Sequence, residues 1–96
     1  MEQCLTNDCK INTMLSIIKP KYNAVVIFSL QKEKKLFTQL KEEFKYMSNE
    51  QINRVLKNLS KNQVINKKSD YYCLTLKGKE LYKVLKDLEK IQVKYD

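Results

Sequence analysis

Apolar residues recur along the chain with helical spacing in some segments and as short extended runs in others. Residues 36–44 and 52–59 carry apolar side chains every three or four positions, with a break at Tyr46-Met47-Ser48 between them. This spacing predicts two amphipathic helices joined by a turn. Residues 64–68 and 71–75 then form two short β-like runs separated by Ser69-Asp70, a turn-favouring pair. The pattern therefore predicts helix, turn, helix and hairpin in that order.

Two further helices are predicted before this unit. Apolar residues at i, i+3, i+4 and i+7 indicate an amphipathic helix that Thr6 or Asn7 could cap and that Pro20 ends (Ile11, Met14, Leu15, Ile18). Residues 21–31 are apolar on nearly every side, which is typical of a buried helix. A strand is the alternative here, because residues 25–28 are β-branched and aromatic.

Local signals set the ends of the later helices. The third helix is predicted at 37–45, and Lys35-Leu36 can add a short strand to the hairpin. Ser48 and Gln51 have the spacing of a capping box, which starts a fourth helix at Asn49 that runs to about residue 62. Thr75 is the expected N-cap of a last helix that ends near Tyr95.

These elements predict one mostly α-helical (α+β) domain over residues 1–96. Its fold class is a winged helix-turn-helix with a short two- or three-stranded hairpin wing and a long C-terminal helix over about 76–95.

Val84, Leu88, Ile91 and Tyr95 step by four, three and four residues, as in a heptad seam. The stripe can pack on its own domain or join two copies. We expect a homodimer, with an interface built from the first and last helices (Leu15, Leu81, Val84, Leu85, Leu88, Ile91, Tyr95).

Charge points to a polyanionic partner. The formal net charge is +8, with 19 Lys and Arg against 11 Asp and Glu. A domain this basic usually meets nucleic acid, although a solvated Lys-rich surface is the simpler alternative. Residues 49–68 carry five cations against Glu50 alone, which is half of the net charge. We therefore expect double-stranded DNA to be the partner of this segment.

Helical geometry places the DNA-contacting residues. With Ile52, Val55, Leu56 and Leu59 against the core at 100° per residue, the opposite face carries Arg54, Lys57 and Lys61. Arg and Asn can read bases and Lys mostly meets phosphates, so Asn53 and Arg54 are candidate base readers. Lys67 and Lys68 would form a basic wing tip. The predicted DNA-binding set is Ser48, Asn49, Glu50, Gln51, Asn53, Arg54, Lys57, Asn58, Lys61, Lys67, Lys68 and Ser69. A further cluster, Lys32, Lys34 and Lys35, could touch flanking phosphates or only solvate a loop.

Enzymatic chemistry is not expected. The chain has no His, which excludes Cys–His zinc sites, His-based acid–base catalysis and serine triads. We predict no metal, cofactor or small-molecule substrate, no membrane span and no signal peptide, and an intracellular (cytoplasmic) location.

Cys4, Cys9 and Cys73 do not form a disulfide framework. Cys4 and Cys9 are unremarkable thiols, a redox switch or the partners of an inter-subunit disulfide, whereas Cys73 is expected to pack in the hairpin.

The ordered motifs resemble those of the HxlR-type winged-helix transcriptional regulators. Cys9 precedes Lys21-Tyr22 by about a dozen residues, where the family has a Cys and then a Lys-Trp pair. Residues 36–40 (LFTQL) are similar to the family's Arg-Phe-x-Glu-Leu. Met47-Ser48 with the later apolar positions resembles its Ile-Ser-x-x-x-Leu-x-x-x-Leu-x-x-Leu. Residues 72–78 (YCLTLKG) resemble its Tyr-x-Leu-Thr-x-x-Gly.

The chain departs from the family pattern at several points and is identified as a divergent member. Lys10 replaces the Pro after the Cys, Tyr22 replaces the Trp, Gly-rich turns are missing and the wing is shorter. The resemblance implies a homodimer on a pseudo-palindromic operator, and a role for Cys9 in sensing oxidants or electrophiles. A protein-interaction or assembly module without specific DNA recognition is the alternative function.

Overall fold

Five helices and a small sheet make up the structure. The computed structural model describes residues 7–95, with side chains from Lys10 onward. The helices are α1 (Asn7–Ile18), α2 (Asn23–Lys32), α3 (Phe37–Glu43), α4 (Asn49–Lys61) and α5 (Leu76–Tyr95), and the strands are β1 (Lys35–Leu36), β2 (Ile65–Lys68) and β3 (Tyr71–Leu74). The predicted winged helix-turn-helix fold is confirmed, and residues 23–32 form the predicted helix rather than a strand.

The sheet is antiparallel in the order β1-β3-β2. β2 and β3 pair from Ile65 opposite Leu74 to Lys68 opposite Tyr71, and β1 adds Lys35 opposite Tyr72. The tip is a two-residue turn in which Ser69 adopts a φ of 58°. Such a turn requires positive φ, and its backbone twist matches that of the flanking strands. The wing is therefore short, as the sequence predicts.

The core is built from α2, α3, α4 and the first half of α5, with Ile17 of α1 and two strand residues, Ile65 and Leu74. Its fully buried members include Ile27, Leu40 and Leu59. The ring of Phe28 on α2 meets that of Tyr82 on α5 at 5.2 Å between centroids, in an edge-on arrangement that aromatic pairs favour. On α2, Val25 is 40% exposed, so the expectation that this helix is buried on all sides is wrong for that position.

Only part of the apolar series predicted for α1 packs on the core. Ile17 is fully buried and Met14 and Ile18 pack on the core, whereas Ile11 and Leu15 are 55% and 45% exposed. The i, i+3, i+4, i+7 series therefore combines two surfaces of one helix. Within the described part of the chain, one of these surfaces packs on the core and the other faces solvent.

The start of α5 is fixed against the segment that links α4 to β2. Thr75 Oγ1 accepts a hydrogen bond from the Gly78 amide at 3.0 Å, which confirms Thr75 as the cap, and donates to the Gln63 carbonyl at 2.6 Å. The Thr75 amide donates to the Val64 carbonyl at 3.0 Å. Gly78 then packs directly on that carbonyl: a Cβ at position 78 would overlap the Val64 oxygen and lie 2.9 Å from Leu74 Cδ2.

Gly78→Ala is expected to destabilise the fold by roughly 1–3 kcal/mol, because the added methyl group has no space against the Val64 backbone. The sign of the change in the free energy of unfolding identifies the close packing, because Gly→Ala inside an unconstrained helix stabilises by about 0.5–1 kcal/mol. Urea unfolding of Gly78→Ala, with exposed Lys79→Ala as the matched control, measures the effect. A Gly78→Ala protein as stable as the unmodified chain would contradict the close packing.

Candidate nucleic-acid interface

α4 is held on the core by one apolar face. Ile52, Val55, Leu56 and Leu59 are all buried. Ser48 Oγ accepts from the Gln51 amide at 3.1 Å, and Gln51 Oε1 accepts from the Ser48 amide at 2.8 Å, which confirms the predicted capping box. The apolar face and the cap together fix which side of α4 faces solvent.

The outer side of α4 presents a recognition face, defined here as Glu50, Asn53, Arg54, Lys57 and Lys61. All five side chains are exposed. Wing residues Lys67, Lys68 and Ser69, and Asn49 at the start of the helix, are exposed as well. These nine of the twelve predicted DNA-binding residues are therefore exposed to solvent.

The other three predicted residues already make internal hydrogen bonds. Ser48 and Gln51 are committed to each other in the cap. Asn58 is half-buried, and its Oδ1 accepts a hydrogen bond at 2.8 Å from Nδ2 of Asn23. The same Asn23 nitrogen donates to the Ile17 carbonyl at 2.7 Å. Asn58 therefore ties α4 to α2 and the end of α1.

A cleft separates α4 from the wing. This wing-side cleft has a volume of about 310 Å³ and is lined by Asn53, Leu56, Lys57, Ser60, Lys67 and Tyr72. Lys67 Nζ lies 5.5 Å from the centroid of the Tyr72 ring, a cation–π distance that holds the ammonium beside the cleft. The contact is consistent with Tyr72 packing in the hairpin.

A second cleft lies on the opposite side of α4, against the turn between α1 and α2. This turn-side cleft has a volume of about 270 Å³ and is lined by Pro20, Lys21, Tyr22, Asn23, Gln51, Arg54, Val55 and Asn58. Lys21 Nζ lies 5.2 Å from the centroid of the Tyr22 ring. The sequence analysis did not include Lys21 among the DNA-binding residues, although Lys21-Tyr22 matches the family's Lys-Trp pair.

The Lys32, Lys34 and Lys35 cluster is partly structural. Lys35 Nζ donates to Glu43 Oε1 at 2.6 Å and to Ser29 Oγ at 2.8 Å, and its side chain is only 12% exposed. Partial burial alone would raise the pKa of the Glu43 carboxyl, but hydrogen bonds from Lys35 and Ser29 hold that pKa below its ordinary value. Lys34 lies over the Tyr71 ring at 4.6 Å. Lys35 therefore stabilises the junction of β1, α2 and α3.

The apolar stripe of α5 is divided between the core and solvent. Leu81 and Leu85 are buried in the chain's own core. Val84, Leu88, Ile91 and Tyr95 are exposed by 52%, 51%, 56% and 75%. The part of the predicted interface that is open to a partner is therefore this outer stripe together with Leu15 on α1.

The structure does not describe the side chains of the two N-terminal cysteines. Cys4 lies outside the described residues, as does the side chain of Cys9, whose backbone lies in the first turn of α1. Cys73 on β3 is a half-buried free thiol. Within the described residues, no group of three Cys, Asp or Glu side chains is placed to hold a metal ion, and no helix is long and apolar enough to cross a membrane.

Comparison with known proteins gives a consistent result. Residues 17–96 match the family model of the HxlR-like helix-turn-helix. The quinone-bound YodB of B. subtilis superposes with a TM-score of 0.84 at 24% identity, covering 88% of this chain and 97% of that one. The reduced form of the transcriptional regulator YodB gives 0.79 at 22% identity, covering 93% and 90%. A MarR-family protein of Porphyromonas gingivalis W83 gives 0.79 at 19%, covering 96% and 97%. Curated protein sequences give no match.

Asn23→Ala is expected to destabilise the fold by about 1–3 kcal/mol, because the Ile17 carbonyl and the Asn58 amide lose a buried partner. A double-mutant cycle of Asn23→Ala and Asn58→Ala, measured by urea unfolding, should show a coupling of about 0.5–3 kcal/mol, since the two side chains contact each other. Strictly additive effects would show that the hydrogen bond does not join the helices. Exposed Asn53→Ala is the matched control and should leave stability within about 0.5 kcal/mol.

Proposed function

The chain belongs to the HxlR-like helix-turn-helix family, and from this premise we propose that it is a sequence-specific, DNA-binding transcriptional regulator that acts as a homodimer. The observation that carries the proposal is the exposed recognition face of α4 beside a basic wing, with three of its five side chains cationic. B-DNA's major groove is about 12 Å wide and admits one α-helix. The capping box and apolar face of α4 leave this basic side free to enter it.

The exposed residues of α4 and the wing are proposed to form two groups, one that contacts bases and one that contacts phosphates. Asn53 and Arg54 stand in the N-terminal half of the helix, where recognition helices contact base edges. Arg pairs bidentately with guanine and Asn with adenine, so these two residues are proposed to read sequence. Lys57, Lys61 and the wing lysines are proposed to hold phosphates, which position the protein without reading bases.

The homodimer rests on the exposed apolar stripe of α5. Val84, Leu88 and Ile91 are each more than half exposed, and Ile11 and Leu15 on α1 add a second apolar surface. Pairing these surfaces between two copies would remove them from water and is favourable in proportion to the area buried. A two-fold dimer would place its two α4 helices in successive major grooves of a pseudo-palindromic operator.

A redox response is a refinement of this proposal. Its support is the structural similarity to YodB, which has been described both in reduced form and bound to quinone. Cys9 lies in the first turn of α1, the helix that carries Leu15. Modification at Cys9, or at the nearby Cys4, is proposed to alter the dimer and thereby the spacing of the two α4 helices.

A protein-interaction or assembly module is the second candidate. The observation that favours it is the same α5 stripe, which could cover a different protein instead of a second copy. In that case α5 would carry the function and the charges of α4 would be dispensable.

Substitutions on α4 and the wing test DNA binding. Arg54→Ala should cost roughly 1–3 kcal/mol on the preferred sequence and relax base preference, because it removes a base contact. Lys67→Ala should weaken all sequences alike and reduce the slope of log K against log salt by about 1. Gel-shift titrations on DNA selected from a random pool, with exposed Lys90→Ala as the control, measure both. Absence of DNA affinity at low salt would refute the proposal.

Paired charge and dimer variants separate the two candidate functions. Lys57→Glu with Lys61→Glu should abolish DNA binding while the chain remains a dimer by sedimentation. Leu88→Glu should give monomers with weakened DNA binding, because it places a charge in the stripe. Val93→Glu is its matched control, since Val93 is 73% exposed and lies on the opposite side of α5 at 100° per residue. A module that only binds protein would keep its partner after reversal of Lys57 and Lys61.

Cysteine variants test the redox response. Mild peroxide or a benzoquinone should change the DNA affinity of the unmodified chain and of Cys73→Ser, but leave Cys4→Ser with Cys9→Ser unaffected. Non-reducing gels and intact mass give the modified species. If treatment changes neither mass nor DNA affinity, the redox refinement is wrong and the DNA-binding proposal is untouched.

A further inference from the structure

Among the residues that the structure describes, the turn-side cleft is lined by two cations and by no acidic side chain. Lys21 and Arg54 are both exposed at its edges, and the remaining lining residues are Pro20, Tyr22, Asn23, Gln51, Val55 and Asn58. We propose that this cleft binds one phosphate of the DNA backbone and that Lys21 is its principal ligand. The inference rests on the proposed function and adds a contact outside the helix-turn-helix and the wing.

The composition of the turn-side cleft distinguishes it from a lysine-containing cleft elsewhere on the surface. A cleft of about 430 Å³ between α2 and α5 also contains two lysines, but Glu43 and Glu89 line it too. Such a mixture gives no net attraction for an anion. In the turn-side cleft the amide side chains of Gln51 and Asn58 are already hydrogen-bonded within the fold. The charged groups left to receive a ligand there are both cations.

The position of the cleft fits the shape of the major groove. The wing-side cleft, with Lys57 and Lys67, lies on one side of α4, and the turn-side cleft, with Lys21 and Arg54, lies on the other. A helix with its side chains is about 10–12 Å across and fills a groove about 12 Å wide, so a phosphate backbone runs along each side of it. Each cationic cleft therefore lies where one of the two backbones would pass.

Lys21 is held in place by its surroundings. Its ammonium lies 5.2 Å from the centroid of the Tyr22 ring. The Tyr22 ring in turn packs against the Tyr46 ring, with 5.8 Å between the two centroids. Asn23, which follows Tyr22 in the chain, is buried and hydrogen-bonded to Asn58 on α4. The turn and α4 therefore keep a fixed separation, so binding a phosphate at Lys21 requires little further ordering. Arg54 at the other edge adds positive charge to the cleft and remains free to contact a base.

Lys21→Gln tests the site, with Lys19→Gln as a matched control. Both lysines are exposed and flank Pro20, but only Lys21 lines the cleft. Lys21→Gln should weaken binding to selected and random DNA by the same factor, roughly threefold to tenfold, and reduce the salt slope by about 1. Lys19→Gln should change neither quantity by a comparable amount. Thermal unfolding of both variants verifies that the fold is intact.

A phosphate scan identifies the partner atom. Single methylphosphonate linkages, which remove one backbone charge, are placed one at a time along the selected DNA. The linkage that meets Lys21 should weaken binding of the unmodified chain but have little further effect on Lys21→Gln, since the contact is already lost.

The outcomes separate this inference from the proposed function. If the unmodified chain binds DNA and Lys21→Gln behaves like Lys19→Gln, the phosphate site is wrong and the regulator proposal stands. If Lys21→Gln changes base preference instead of affinity for all sequences, Lys21 reads bases and the phosphate assignment is also wrong. If the unmodified chain binds no DNA at low salt, both proposals fail.

Discussion

The close packing of Gly78 on the Val64 carbonyl is the constraint on which the rest of the architecture depends. Val64 lies in the link from α4 to the wing, and Gly78 lies in the first turn of α5. Their backbones meet without an intervening side chain, and Thr75 adds hydrogen bonds to the Gln63 and Val64 carbonyls. The chain's only glycine thus fixes the base of the wing and the end of α4 to the helix that carries the apolar stripe.

A second connection, made of polar groups, holds the other side of α4. The Asn23 side chain donates to the Ile17 carbonyl and to Asn58, so hydrogen bonds connect α1, α2 and α4. Apolar burial is non-directional and would tolerate small rotations of α4, whereas a satisfied buried amide pair has one good geometry. Both surfaces proposed for dimerisation, on α1 and α5, are therefore connected to α4 through short, stiff contacts. A change at these surfaces would in this way reach the recognition face of α4.

Local signals made much of the fold predictable from the sequence. The Ser48–Gln51 capping box, the Thr75 cap and the Ser69-Asp70 turn depend on residues within a few positions of one another, and each lies where the sequence predicts. Long-range partners were not predictable. Asn58 has the sequence character of a DNA contact but pairs with Asn23, 35 residues away, and Lys35 looks like a phosphate ligand but pairs with Glu43. Likewise, only the packed structure separates buried Leu81 and Leu85 from exposed Leu88 on the same helix.

Hydroxyl-radical footprinting on DNA selected by the unmodified chain tests the central claim most directly, because it locates both copies of α4 and both backbone contacts in one measurement. A two-fold dimer with one α4 in each of two successive major grooves predicts two protected segments related by symmetry, with centres about 10–10.5 base pairs apart. A single protected segment, or uniform protection that follows no sequence, would contradict a dimeric, sequence-specific DNA-binding protein.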